Sequence, residues 1–176
     1  MKKFVILVAI CLVAFPMMMF SQNEPGFGKM SLGANFEVSL PMGDFSDYGA
    51  TGFGGNVKFQ YGADTRSAFT ATAGYLVWGK KDLPAGSSVE WKAFNMFVGG
   101  KYYLAPGFFG SLEGGAYFMT STYEGTVVGA KGNATYFMLP IGLGYQKSGF
   151  EIAARYMLLH PDFNSFSFTV GYNFAL

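Results

Sequence analysis

The chain has 176 residues, 51% of them hydrophobic and 19% aromatic, with 25 glycines and only 13% charged residues. So few charges cannot cover a soluble domain of this size, and a formal net charge of +1 excludes a basic footprint for nucleic acid. Beyond the N-terminus no run of about 18 apolar residues occurs, which excludes a transmembrane helix from the body of the chain.

The first element is expected to lie outside the fold. Lys2 and Lys3 precede an apolar run from Phe4 to Phe20, and Ser21-Gln22-Asn23 follows. This is the charged, apolar and small-residue order of an export signal, so residues 1–21 are expected to be a cleaved signal peptide and residues 22–176 one barrel domain. Cys11 lies inside the signal behind Ile10, where a lipoprotein needs a small residue, so lipidation is not expected. The remaining chain then has no cysteine, and disulfides are excluded.

Eight segments with a period of two follow. Strand one, from about Phe27 to Leu40, alternates Met30, Leu32, Ala34, Phe36, Val38 and Leu40 with Lys29, Ser31, Gly33, Asn35, Glu37 and Ser39. Pro41 to Thr51 breaks the alternation and predicts a loop. Strand two, Gly52 to Tyr61, sets Phe53, Val57 and Phe59 against Asn56, Lys58 and Gln60. After a tight turn at residues 62–66, strand three runs from Ser67 to Trp78, and Gly79 to Ser88 predicts a second loop. Strand four, Val89 to Leu104, has Phe94, Met96 and Val98 on one parity and Asn95, Gly99 and Lys101 on the other. Ala105-Pro106-Gly107 is a tight turn. Strand five spans Phe108 to Tyr123, with Glu113 on its inward parity, and a Gly-rich loop leads to strand six, Ala134 to Gln146. Pro140 would remove a ladder hydrogen bond there, which predicts a bulge. A turn at residues 147–149 leads to strand seven, Phe150 to Leu159, with Glu151 and Arg155 inward. Strand eight, Ser165 to Leu176, alternates Phe166, Phe168, Val170, Tyr172, Phe174 and Leu176 with small or polar residues.

Successive side chains of a strand point to opposite faces, so each segment has one apolar and one polar face. The strand number is even. Longer loops follow strands one, three, five and seven, and turns follow strands two, four and six, the asymmetry of an outer-membrane barrel with short periplasmic turns. The apolar parity of the central segments carries no Asp, Glu, Lys or Arg, whereas the opposite parity holds several. Phe27, Tyr61, Phe69, Tyr102, Phe108, Tyr145, Phe150 and Tyr172 fall near one end of each strand, where an interfacial aromatic girdle is expected. The predicted fold is all-β, an eight-stranded antiparallel up-and-down transmembrane β-barrel. A soluble sandwich or lipocalin-like barrel would need charged outward positions on most strands.

Three stretches carry a resemblance: S-L-P-M-G-D-F-S-D-Y-G, G-F-G-G-N-V-K-F-Q-Y-G and S-F-S-F-T-V-G-Y-N-F. With them the chain resembles the small eight-stranded outer-membrane β-barrel proteins, in plan the OmpX and OmpA transmembrane barrels. The likeness is strongest to the outer membrane protein beta-barrel domain group common in the Bacteroidota. The resemblance implies a bacterial outer-membrane location, contact with outer-membrane lipid and lipopolysaccharide, and recognition by the barrel-assembly machinery. It also implies that the aromatic last strand, with Tyr172, Phe174 and Leu176, is the assembly signal. Many such signals end in Phe, and this one ends in Leu176.

Eight strands make a barrel about filled by its side chains, so no wide pore is expected. The lumen should hold a charge network of Lys29, Glu37, Lys58, Lys101, Glu113, Glu151 and Arg155. Lys101 and Glu113 flank the turn at Pro106 and are expected to meet. An ionic plug is the expected role, with a proton or ion path as its alternative. Gly142-Leu143-Gly144 lies inside a strand, so its glycines should ease packing rather than bind a nucleotide. Catalysis has thin support. Outer-membrane lipid A deacylases and palmitoyltransferases use His with Ser at the outer rim, but His160, Asp162 and Ser165 stand in H-P-D-F-N-S, which does not match the deacylase's His-x-Ser. Asp44, Asp47 and Asp162 are expected to be solvated rather than to hold a metal, and no cofactor is expected. The expected function is structural or surface contact without catalysis. The alternatives are a narrow conduit for small or apolar solutes, as in OmpW-type barrels, and a lipid A-modifying enzyme.

Overall fold

The structure is a computed structural model that describes residues 28–83, 86–124, 130–158 and 163–176. Its strands are β1 Met30–Pro41, β2 Gly52–Gly62, β3 Ser67–Leu83, β4 Ser87–Ala105, β5 Phe108–Glu124, β6 Ala130–Lys147, β7 Phe150–Leu158 and β8 Ser165–Ala175. Each pairs antiparallel with its neighbour in sequence, and β8 returns to pair with β1, so the sheet closes without a free edge through its central belt. The predicted barrel is the observed one.

Closure sets the stagger. Following paired residues once round the barrel leads from Met30 through Tyr61, Phe69, Gly100, Leu112, Ile141, Tyr156 and Phe166 to Leu40, so the circuit returns ten residues further along β1. With about 3.3 Å per residue and about 4.8 Å between strands, that stagger tilts the strands by roughly 40° from the axis. Side chains distant in sequence are thereby brought to one level of the lumen.

The alternation decides what faces out. Phe36, Phe53, Phe69, Val98, Leu112, Phe137, Ile152 and Val170 are all exposed, while their neighbours on the other parity are buried or half-buried. A closed barrel only has a side-chain-filled interior and an exterior, so this apolar exterior must meet hydrocarbon. Val98, in mid-β4 and 66% exposed, gives a direct check. Val98→Arg is expected to lower the unfolding free energy in lipid by about 2–4 kcal/mol, against little change for Val98→Leu. Denaturant titration in liposomes measures both, and equal stability of the two variants would contradict a lipid-facing position.

The turns have the chemistry that their lengths demand. Ser148 and Gly149 both have positive φ (51° and 83°), the geometry of a type I′ hairpin matching the twist of β6 and β7. Pro106-Gly107 combines the fixed φ of Pro with a positive φ of 79° at Gly107. A register shift between Tyr103 and Ala105 accommodates the last rung beside it.

Four features differ from the sequence reading. Residues 79–83 and 87–88 are strand rather than loop: β3 and β4 continue through Lys80, Lys81 and Asp82, with a register shift between Trp78 and Lys81. Charged residues are acceptable there because the extension lies beyond the apolar band. Second, β6 begins four residues before Ala134, at Ala130. Third, the loop after β1 contains a one-turn helix, α1 Phe45–Tyr48, too short for any periodic signal. Fourth, the expected bulge at Pro140 is absent. Leu112–Ile141 and Gly115–Met138 share one register, and the ladder is only interrupted opposite Glu113 and Gly114. Losing one N–H removes a rung without requiring an extra residue.

The barrel is also lopsided. β3 to β6 have 17, 19, 17 and 18 residues, whereas β1, β2, β7 and β8 have 12, 11, 9 and 11. One wall therefore rises past the band at the loop end. Its outer face presents the rungs Lys92–Thr120–Asn133 and Glu90–Thr122–Lys131 directly above Phe94 and Phe118.

Candidate functional site

Small inward residues make the space that the lumen groups occupy. A Cβ on Gly144 would come 2.4 Å from the Phe109 ring, and one on Gly142 would come 2.8 Å from Arg155 Cγ. The two glycines of Gly142-Leu143-Gly144 thus admit an aromatic ring and a guanidinium stem.

Six charged side chains meet in the middle of the lumen, none more than 3% exposed. Glu151, from β7, accepts from Lys58 Nζ at 2.6 Å on one oxygen and from Lys101 Nζ at 2.6 Å on the other. Asn173 Nδ2 donates to the second oxygen at 2.9 Å. Lys101 also donates to Gln60 Oε1 at 3.0 Å and Gln146 Oε1 at 3.2 Å, and lies 4.2 Å from the centroid of the Phe109 ring. Arg155 spans a second pair of carboxylates: its NH2 reaches Glu37 Oε2 at 2.9 Å and its NH1 reaches Glu113 Oε2 at 3.1 Å. Thr70 and Thr72 hydroxyls donate to Glu113 Oε1 at 3.0 and 3.3 Å, and Asn56 Nδ2 donates to Glu37 Oε2 at 3.0 Å. Three carboxylates face three cations, so the layer is neutral among the described residues. Desolvation of a buried charge costs several kcal/mol, and paired, hydrogen-bonded geometry offsets it.

Two expectations about this network are corrected. Lys29 is not in it: it precedes β1 and is exposed at the turn end, where its ammonium keeps its water. Lys101 does not bond Glu113. The tilt carries it to Glu151, and Glu113 goes to Arg155.

Below the charges, Ala68, Tyr103, Phe109 and Ala153 form a small apolar floor. Above them the inward parity turns aromatic, with Leu76, Trp78, Trp91, Phe97 and Tyr117 buried together. This layer was not anticipated from the alternation, although Trp78, Trp91 and Phe97 share a parity with Thr72 and Asn95. Apolar residues on both parities were the available signal. Phe45 of α1 enters the mouth and packs on Phe163 at 4.7 Å, Trp78 at 5.6 Å and Trp91 at 6.2 Å between ring centroids. Phe163 stacks on Tyr136 at 4.3 Å. Each such pair contributes about 0.5–1.5 kcal/mol beyond area burial. Trp91 Nε1 donates to Tyr48 O at 3.2 Å, Met42 N donates to Asn164 O at 2.8 Å, and Lys81 Nζ donates to Ser46 O, so the first loop is pinned over the barrel.

The remaining candidates lie apart from this core. His160 and Asp162 fall outside the described residues, as do residues 1–27 with the expected signal and Phe27. Ser165 is 2% exposed on the inward face of β8. Asp44, which precedes α1, and Asp47, within it, are exposed, and no group of three potential metal ligands occurs among the described residues. Phe174 and Leu176 point outward, 48% and 75% exposed, Tyr172 is partly exposed, and Leu176 N donates to Met30 O at 3.0 Å where β8 meets β1.

No protein-family description and no curated protein sequence matches the chain. Solved structures do. Ail, the attachment invasion locus protein of Yersinia pestis, is similar with a TM-score of 0.62 at 13% identity, over 85% of this chain and 99% of that one. The N-terminal β-barrel domain of Pseudomonas aeruginosa OprF is similar with a TM-score of 0.55 at 12% identity, over 84% and 99%. A de novo designed transmembrane β-barrel gives 0.50 at 13% identity, over 88% and 100%. At such identities the likeness is one of fold alone: the chain has the fold of the small eight-stranded outer-membrane β-barrels.

Proposed function

We propose that this protein is an integral, non-catalytic barrel of the bacterial outer membrane that acts through its outer face and not through its lumen. The observation that carries the reading is the obstruction of the lumen at three successive levels. Tyr103 and Phe109 fill the turn end, a neutral ion-pair layer fills the middle, and Phe45, Trp78, Trp91 and Phe163 fill the loop end. A conduit would need a continuous polar path, and the aromatic layer supplies none.

Residues 1–21 serve in this reading as the export signal, and the outward Tyr172, Phe174 and Leu176 of β8 as the handle for the assembly machinery. The raised wall of β3 to β6 is the contact surface. It carries Lys131, Lys92 paired with Glu90 at 3.1 Å, and a row of hydroxyl and amide groups just above the apolar band, at the level of lipid headgroups and lipopolysaccharide. Ail has been crystallised with the heparin analogue sucrose octasulfate. That complex gives a polyanion precedent on this fold, and Lys92 and Lys131 are the cations to test here.

Two measurements test the proposal. Closed barrels resist detergent until heated, so unheated protein from the outer-membrane fraction should migrate differently from heated protein. In planar bilayers the folded protein should give no steady openings at moderate voltage. Steady single-channel openings from heat-shifting protein would overturn the sealed lumen. Recovery as soluble periplasmic protein would overturn the location.

A further inference from the structure

Between the ion pairs and the aromatic plug lies a level of the lumen whose polar atoms lack protein partners. Glu37 Oε1, Arg155 Nε, Tyr117 OH, Ser39 Oγ and Ser167 Oγ have no hydrogen-bond partner, and their residues are 0–3% exposed. They are not scattered. Ser39 of β1 is paired with Ser167 of β8, and Ser167 with Arg155 of β7, so three of them form one rung. Glu37 is joined to that rung by its bond to the Arg155 guanidinium. Tyr117 comes from the opposite wall, and its ring packs on Trp78 at 6.0 Å and Phe97 at 5.4 Å, immediately under the plug.

A buried polar atom left unpaired forfeits the hydrogen bonds that it makes in water, and five at one level call for an occupant that restores them. The backbone register holds the serines, whose side chains are too short to cross the lumen. We infer that this level is a built hydration site: a cluster of bound water, one member of which bridges Arg155 Nε–H to Glu37 Oε1.

The chemistry of the five groups selects water over other small guests. A free carboxylate oxygen repels an anion, and a free guanidinium N–H repels a cation. Three hydroxyls accept or donate as needed. The occupant must therefore be neutral and must donate and accept at once. Waters in such polar cavities make about three hydrogen bonds each, the number that this mix of donors and acceptors supplies. Because Phe45, Trp78 and Phe163 close the loop end, the cluster exchanges with the medium more slowly than surface water does.

Arg66 and Arg155 are the two arginines of the chain, and Arg66 sits exposed in the turn between β2 and β3. Arg66→Lys therefore leaves a single arginine Nε–H signal in a ¹⁵N spectrum of the micelle-folded protein, that of Arg155. The expected result is an Overhauser cross-peak from this Hε to the water resonance. It should carry the sign of a long-lived bound water and be separated from chemical exchange by its sign in the rotating frame. A crystal structure of the full folded chain should show the bridging water between Arg155 Nε and Glu37 Oε1. An Hε without a water cross-peak, a direct bond from Nε to a protein acceptor, or density for an ion at this position would overturn the inference.

Discussion

Arg155→Ala is expected to lower the unfolding free energy of the barrel by about 3–5 kcal/mol, the cost of leaving buried charge without its partner. Arg155 alone holds two carboxylates, Glu37 at 2.9 Å and Glu113 at 3.1 Å, and both are buried. Without it they repel each other in a poorly solvated interior, and the threonines and Asn56 that remain are neutral donors. Arg155→Lys should recover only part of the loss, because a single ammonium lacks the planar fork that reaches two carboxylates at once. Neutralising the triad together, as Glu37→Gln, Glu113→Gln and Arg155→Met, should restore most of the stability, since replacing buried ions by neutral groups of similar size is often neutral or better. Urea titration in liposomes, read by gel mobility and tryptophan emission, measures all three. A single Arg155→Ala variant within about 0.5 kcal/mol of the parent would mean that the network is hydrated throughout and holds little of the fold.

Phe45→Ala is the second large effect, and it separates the plug from the ion layer. Phe45 is 1% exposed and touches the rings of Trp78, Trp91, Tyr48 and Phe163. Truncating a buried Phe costs about 3–5 kcal/mol in a core, but α1 can detach without unfolding the sheet, so the loss is limited to the free energy of docking the loop. The expected outcome is a local opening. Both tryptophans of the chain lie against Phe45, so emission should shift to the red while the heat-dependent mobility of the barrel persists. Bilayer recordings should stay silent, because the ion pairs below still close the lumen. If Phe45→Ala produced steady openings, the plug would be the whole barrier and the transport reading would return.

Much of this architecture is legible in the sequence, and for one reason. A strand's side chains alternate with a period of two, and a lipid-facing barrel gives that alternation a strict meaning: within the apolar band, a Lys or Arg on the outward parity costs about 2–4 kcal/mol at mid-depth. Hence strand number, inward faces, turn positions and closure follow from such runs as Phe166 to Leu176. Features without a period were not legible. α1 is four residues long inside P-M-G-D-F-S-D-Y-G, and nothing local tells a loop phenylalanine that enters the lumen from one that lies on a surface. The extension of β3 and β4 was hidden because Lys80, Lys81 and Asp82 resemble loop residues once the strand has left the band.

The charge network shows the division most clearly. The sequence alone determined which carboxylates and cations face inward, since parity is a local property of each strand. It could not determine their partners. Lys101 lies close in the chain to Glu113, across one tight turn, yet bonds Glu151, while Arg155 reaches back to Glu37 on the first strand. It also overcounted the cations, because Lys29 has the right parity but falls where the wall ends. Partnership depends on height within the lumen. Height is fixed by the ten-residue stagger accumulated over eight strand pairings, and only closing β8 onto β1 sets that quantity.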